Sequence, residues 1–196
     1  MNFLQDLWEQ KMAEAWEKPE RYIREQLIQS VLWAKTHSRF YKKAYASYQD
    51  NFTLEEFAQF PFTEAKQIAA DPFSFLCMKP DEISRIVTMQ SSGSTGQNKK
   101  IIFSTADQQL TVDYFQYGMR TLVNPGEKCV ICLPGNNPGG VVDLLVKGLS
   151  ALGAVPIIYG SIDNLQAAWQ FLEREKPHCV VAMPVQILAL CRSRIA

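Results

Sequence analysis

The sequence predicts an α/β protein: a helical N-terminal segment over residues 1–84, followed over 85–196 by a partial βαβ arrangement with a mainly parallel sheet. Two observations carry this. In the first part apolar residues recur at helical spacing, and from about Arg85 short runs of Val, Ile and Cys, apolar on both faces, alternate with amphipathic stretches. Strands of that kind separated by helices are the pattern of βαβ units, whose strands are covered on both sides.

In the first part the helical stripe runs through Leu4, Leu7, Trp8 and Met12, then Ile23, Leu27, Val31 and Ala34. Pro19 near a helix start and Ser38 after the last periodic residue divide it into separate helices. Short helices are expected at 53–60 and 63–70, with Thr53 and Thr63 as N-caps; Glu56, three residues after Thr53, completes a capping-box pattern. The second part reads as strand RIVTMQ, strand KIIFS, a helix over 106–122, strand KCVICLP, a helix over 141–152, strand AVPIIYG, a helix over 165–176 and strand HCVVAMP. The chain stops at VQILALCRSRIA, just as a further helix begins, which leaves about three βαβ strands with an exposed edge and suggests a fragment or a truncated reading frame.

Composition narrows the function classes. Twenty Lys+Arg balance twenty Asp+Glu, so no net field recruits nucleic acid or an anionic membrane, and a small molecule or a protein is the expected partner. No apolar run approaches the roughly 18 residues of a spanning helix, and the N-terminus mixes acids with bases where a signal peptide needs a basic start and an apolar stretch. A cytoplasmic location is expected. Five cysteines, most in apolar runs, suit reduced, buried thiols rather than a disulfide framework.

Cys129 and Cys132 have CxxC spacing but lie inside an apolar strand, where positions three apart face opposite sides of the sheet, so a structural role is expected. His37 and His178 have no Cys, Asp or Glu at ligand spacing, and surface or capping roles are expected, with no metal site. Phe40, Tyr41, Tyr45 and Tyr48 beside Arg39, Lys42 and Lys43 could stack on single-stranded nucleic acid, but the balanced charge favours packing of an amphipathic segment.

The stretch SSGSTGQNK is the chemical focus. It packs three serines, a threonine and two glycines into Ser91–Gly96 and is followed by Lys99 and Lys100. Glycine at Gly93 and Gly96 lets consecutive backbone N–H groups form an anion-binding concavity, the hydroxyls of Ser91, Ser92, Ser94 and Thr95 add donors, and Lys99 adds a cation. These are the parts that a triphosphate needs. The same composition also suits a hairpin tip. GxxxxGK[ST] is not met, since Asn98 stands where it needs glycine, and GxGxxG is absent.

With those residues in view, SSGSTGQNK resembles the phosphate-loop signature of the adenylate-forming superfamily, S/T-S-G-S/T-T-G-x-P-K between two strands. It matches at Ser91, Ser92, Gly93, Ser94, Thr95, Gly96 and Lys99, with Asn98 in place of the usual proline. HSRFYKKAYA, QFPFTEAKQIAADPFSFLCMKPDEISRIVTMQSSGSTG and LPGNNPGGVVDLLVKGLSALGAVPI resemble segments of the phenylacetate-CoA ligase-like branch, so the resemblance covers nearly the whole chain.

The resemblance implies part of the N-terminal domain of an AMP-forming acid–CoA ligase. Such an enzyme joins a carboxylic acid, here an aryl or related acid, to ATP with Mg²⁺ and passes the acyl group to coenzyme A. It implies that Ser91–Gly96 and Lys99 hold phosphates, and that Asn136, Asn137, Gly139 and Gly140 share in the acyl pocket, outside the carboxyl end of a strand where open α/β sheets bind ligands. An N-cap and turn is the plain alternative for those four residues. The adenine, ribose and Mg²⁺ ligands and a mobile C-terminal region would lie past Ala196, so no catalytic residue is assigned, and the piece alone is expected to be inactive. Two other readings stand beside it: a non-catalytic nucleotide-binding or interaction module, its sheet edge capped by a partner or by a homo-oligomer, and a flavodoxin-like domain using the loop for a flavin phosphate.

Overall fold

The computed structural model describes residues 19–89, 99–135 and 137–195. They fall into two compact units that divide between Thr105 and Ala106, so the change of sequence pattern at Arg85 lies within the first unit.

In the first unit, helix α1 spans Pro19–His37, with Glu20 in its first turn and Lys35 and His37 in its last, charges that complement the helix dipole. It is followed by α2 (Arg39–Ala44), α3 (Leu54–Phe57), α4 (Ala65–Ala70) and two 3₁₀ turns, Pro72–Phe75 and Pro80–Glu82. The core is aromatic. Val31, Tyr45, Phe52 and Phe60 are buried, with Leu27, Ile28, Tyr41, Tyr48 and Phe57 packed against them. The rings of Tyr48 and Phe60 lie 4.1 Å apart and those of Tyr45 and Phe60 5.2 Å apart. Core packing is therefore the use of Tyr41, Tyr45 and Tyr48, as the charge balance implied.

Of the N-terminal stripe, Leu4, Leu7, Trp8 and Met12 lie outside the described residues. Leu27 and Val31 face the core, but Ile23 is 56% exposed. The Thr53 cap is as expected: its hydroxyl accepts from Glu56 N–H at 3.2 Å and Glu56 accepts from Thr53 N–H at 2.7 Å. Thr63 is not the next cap. Its hydroxyl lies 2.9 Å from that of Tyr41, and Glu64 takes the N-cap position, with Gln67 Oε1 accepting from Glu64 N–H at 2.7 Å.

The strands β1 (Ile83–Met89) and β2 (Lys99–Ser104) form a separate antiparallel pair rather than joining the parallel sheet. Their register runs from Ile83 opposite Ser104, through a bulge at Ser84, to Met89 opposite Lys99. Strand β2 packs on α4 and on the Pro72–Phe75 turn.

The second unit is a three-layer α/β sandwich. Helix α5 (Thr105–Met119) is followed by β3 (Lys128–Cys132), α6 (Val141–Leu152), β4 (Val155–Ile158), α7 (Leu165–Glu175), β5 (Cys179–Ala182) and α8 (Pro184–Ile195). The sheet has the order β4-β3-β5, both pairings parallel. Side chains alternate along β3. Cys129 and Ile131 pack with Met119, Val142, Leu145 and Leu149 of α5 and α6. Val130 and Cys132 pack on the other face with Ala168 of α7 and Leu190 of α8.

Two glycines tighten this unit. Gly153 ends α6 in the left-handed conformation (φ 86°), with Ala154 N–H donating to Leu149 O at 3.0 Å. Gly148 lets α5 and α6 approach closely: a Cβ there would lie 2.7 Å from Phe115 Cβ and 2.9 Å from Val112 O.

Candidate functional site

The phosphate-loop candidates Ser91, Ser92, Gly93, Ser94, Thr95 and Gly96 lie outside the described residues, so the structure speaks to their anchors. Met89 closes β1 opposite Lys99, which opens β2, and Thr88 pairs with Lys100. The motif is thus the connection of an antiparallel hairpin whose ends are held in register by backbone hydrogen bonds. Lys99 is the first residue of β2.

The second candidate segment sits at the carboxyl end of β3, the central strand. The chain leaves Cys132, turns through Gly135 (φ 85°) and Gly139 (φ 67°), and enters α6 with Gly140 as N-cap. Gly140 N–H donates to Asn137 O at 2.8 Å, closing the turn that brings Asn137, Gly139 and Gly140 together. Asn136 lies outside the described residues. Asn137 is exposed, whereas Gly139 and Gly140 are half-buried.

Sequence reading missed Asp143. Its Oδ2 accepts from Gly139 N–H at 2.7 Å and pairs with Lys147 Nζ at 2.8 Å. A carboxylate in the first turn of α6 offsets the positive end of the helix dipole, so this helix start already holds an anion of its own. Such a turn suits an uncharged or apolar group better than a phosphate. The available signal was an acid three residues into a helix that opens on glycine.

The same end of the sheet carries two further features. Gly160 takes φ 91° after β4, and Tyr159 N–H and Gly160 N–H both donate to Ile131 O, at 2.9 and 3.2 Å. After β5, Gln186 in the first turn of α8 has a buried Oε1 that accepts no hydrogen bond from a described residue. A buried carbonyl oxygen without a donor is costly and marks a place where a ligand or water donor would be stabilising.

The remaining clusters are structural. Cys129 is fully buried, and burial together with neighbouring Cys179 pushes its thiol up to about 12, the opposite of a reactive cysteine. Cys132 faces the other side of the sheet, and burial raises it too. His37 stacks on Trp33 with ring centroids 3.7 Å apart. His178 Nδ1 accepts from Lys128 N–H at 3.2 Å while the His178 backbone N–H donates to Lys128 O at 2.9 Å, so it pins the start of β5 to β3. Among the described residues no group of His, Cys, Asp or Glu could hold a metal ion, and no helix is long and apolar enough to cross a membrane.

No family model and no curated protein matches the sequence. In structure the chain is similar to 2-hydroxyisobutyryl-CoA ligase. Against that enzyme in complex with 2-HIB-AMP and CoA in the thioesterification state, the TM-score is 0.73 at 20% identity, over 90% of this chain and 39% of that one. Against its postadenylation state with 2-HIB-AMP the values are 0.71 and 18%, over 90% and 40%. Against an open conformation with 2-HIB-AMP and CoA they are 0.70 and 20%, over 88% and 42%. The chain thus spans about two-fifths of the length of these relatives. Its α/β architecture is that of part of the fold of 2-hydroxyisobutyryl-CoA ligase.

Proposed function

We propose that this chain is the N-terminal part of an ATP-dependent carboxylate–CoA ligase, which forms an acyl-adenylate from an aryl or related acid and then an acyl-CoA thioester. The observation that carries the reading is the setting of SSGSTGQNK. The motif connects two register-paired strands in a chain whose fold is shared with a CoA ligase.

ATP supplies the activated phosphorus, and Mg²⁺ and coenzyme A serve as metal and acceptor in this chemistry. Ser91, Ser92, Ser94 and Thr95 donate hydroxyls to phosphate oxygens, Gly93 and Gly96 let the backbone approach, and Lys99 offsets charge. Holding the outer phosphates leaves the inner phosphorus open to the incoming carboxylate, which is catalysis by positioning. Asn136, Asn137, Gly139 and Gly140 line the acyl side, where the internal carboxylate of Asp143 keeps the helix start from attracting phosphate.

The longest native product of the gene is the protein to assay. Acid-dependent ATP–pyrophosphate exchange across aryl and branched 2-hydroxy acids is the expected activity, with the 196-residue chain alone showing only weak nucleotide binding. Absence of exchange with every acid would sink the reading.

A further inference from the structure

Helix α2 sorts its side chains by chemistry. Tyr41 and Ala44 pack towards the aromatic core, while Arg39, Lys42 and Lys43 are exposed. These three cations share an open cleft of about 690 Å³ with Gln67 of α4, Asp71, and Ser74 of the adjoining 3₁₀ turn. The wall is fixed: Ser38 Oγ donates to Ser74 O at 2.9 Å, and Phe40 stacks on Phe75 with ring centroids 4.2 Å apart.

Three cations face one carboxylate, and that carboxylate is engaged. Asp71 Oδ1 accepts from Ser74 N–H at 3.2 Å, and Oδ2 lies 3.8 Å from Arg39 Nη2. No carboxylate among the described residues pairs with Lys42 or Lys43. Gln67 Oε1 is taken by Glu64 N–H, which leaves its NH₂ end as the donor. Adjacent lysines, a guanidinium and an amide donor suit a group with several acceptor oxygens and more than one negative charge. The volume is that of a small-molecule cleft, and the chain has no net charge to hold a nucleic acid.

We infer that the cleft formed by α2, α4 and the Pro72–Phe75 turn binds the phosphate groups of a small phosphorylated ligand. None of its lining residues belongs to the 91–96 segment, and it does not depend on the ligase reading. Two sources share this chemistry, a free diphosphate and a nucleotide bisphosphate. Calorimetric titration of the 196-residue chain with inorganic pyrophosphate and with adenosine 3′,5′-bisphosphate separates them.

The expected result is saturable binding of at least one probe, weakened roughly tenfold in K42Q/K43Q and by added salt. Preference for pyrophosphate identifies a free diphosphate, and preference for the bisphosphate identifies a nucleotide. Lys42 and Lys43 are exposed, so the variant should keep the wild-type far-UV spectrum. Binding of neither probe overturns the inference, as does binding that K42Q/K43Q leaves unchanged.

Discussion

Ser38 and Ser74, 36 positions apart, are joined by a hydrogen bond in which the Ser38 hydroxyl donates to Ser74 O at 2.9 Å while accepting from Tyr41 N–H at 3.2 Å. One hydroxyl therefore caps α2 and ties it to the turn that follows α4. Ser38 is only 1% exposed, so its loss leaves a buried carbonyl and a helix start without partners. Ser38→Ala should cost about 1–3 kcal/mol, read as a lower urea midpoint with an unchanged slope. A change within error would show that water replaces both bonds.

Gly148 is the point of closest approach between α5 and α6. Gly148→Ala raises helix propensity but forces a methyl against Phe115 Cβ and Val112 O. Overpacking should outweigh the propensity gain, giving a net loss of about 1–2 kcal/mol. An increase in melting temperature would show that the two helices separate without cost.

The thiol of Cys129 is raised in the folded protein, chiefly by burial and then by Cys179, to about 12. A raised folded-state value means that its contribution to stability is complete below the unfolded-state pKa and is lost as pH rises towards the folded-state one. Stability should therefore fall between about pH 9 and 12, with a slope of up to about 1.4 kcal/mol per pH unit from this thiol, and less steeply in Cys129→Ala. In the native protein at pH 8 a thiol reagent should label exposed Cys191 and spare Cys129 and Cys132 until the chain unfolds. Rapid labelling of Cys129 would contradict its burial.

In the longest native product, Thr95→Ala and Lys99→Ala should each lower acid-dependent pyrophosphate exchange by about ten- to a hundredfold while leaving the melting temperature within about 1 °C. Loss of the fold together with exchange would make the loop a structural element instead. Asn137→Ala should alter the ranking of acids more than the affinity for ATP, measured as separate KM values.

The sequence alone determined the layering of the second unit. KCVIC is apolar at every position between its ends, and such a run becomes a central strand buried on both faces, as β3 is. The bounds of α6, Val141–Leu152, follow from Gly140 before it and Gly153 after it, and the box at Thr53 from a spacing of three residues. The candidate phosphate residues stand in one contiguous motif, so the sequence alone proposes them.

Tertiary structure decided what local pattern does not encode. RIVTM and KKIIFS look like any apolar strands, yet they pair with each other, because the short connection lets them close an antiparallel ladder before any distant strand is reached. Ile23 fits the helical stripe but finds no neighbour to bury it, and Thr63 gives up its cap because Tyr41 offers its hydroxyl a closer partner. Asp143 enters the candidate site, Gln186 the same end of the sheet, and Lys42 and Lys43 the cleft, only once strand ends and turns are brought together. Periodicity and caps are properties of neighbours along the chain; which carbonyl is orphaned and which cations share a cleft are properties of neighbours in space.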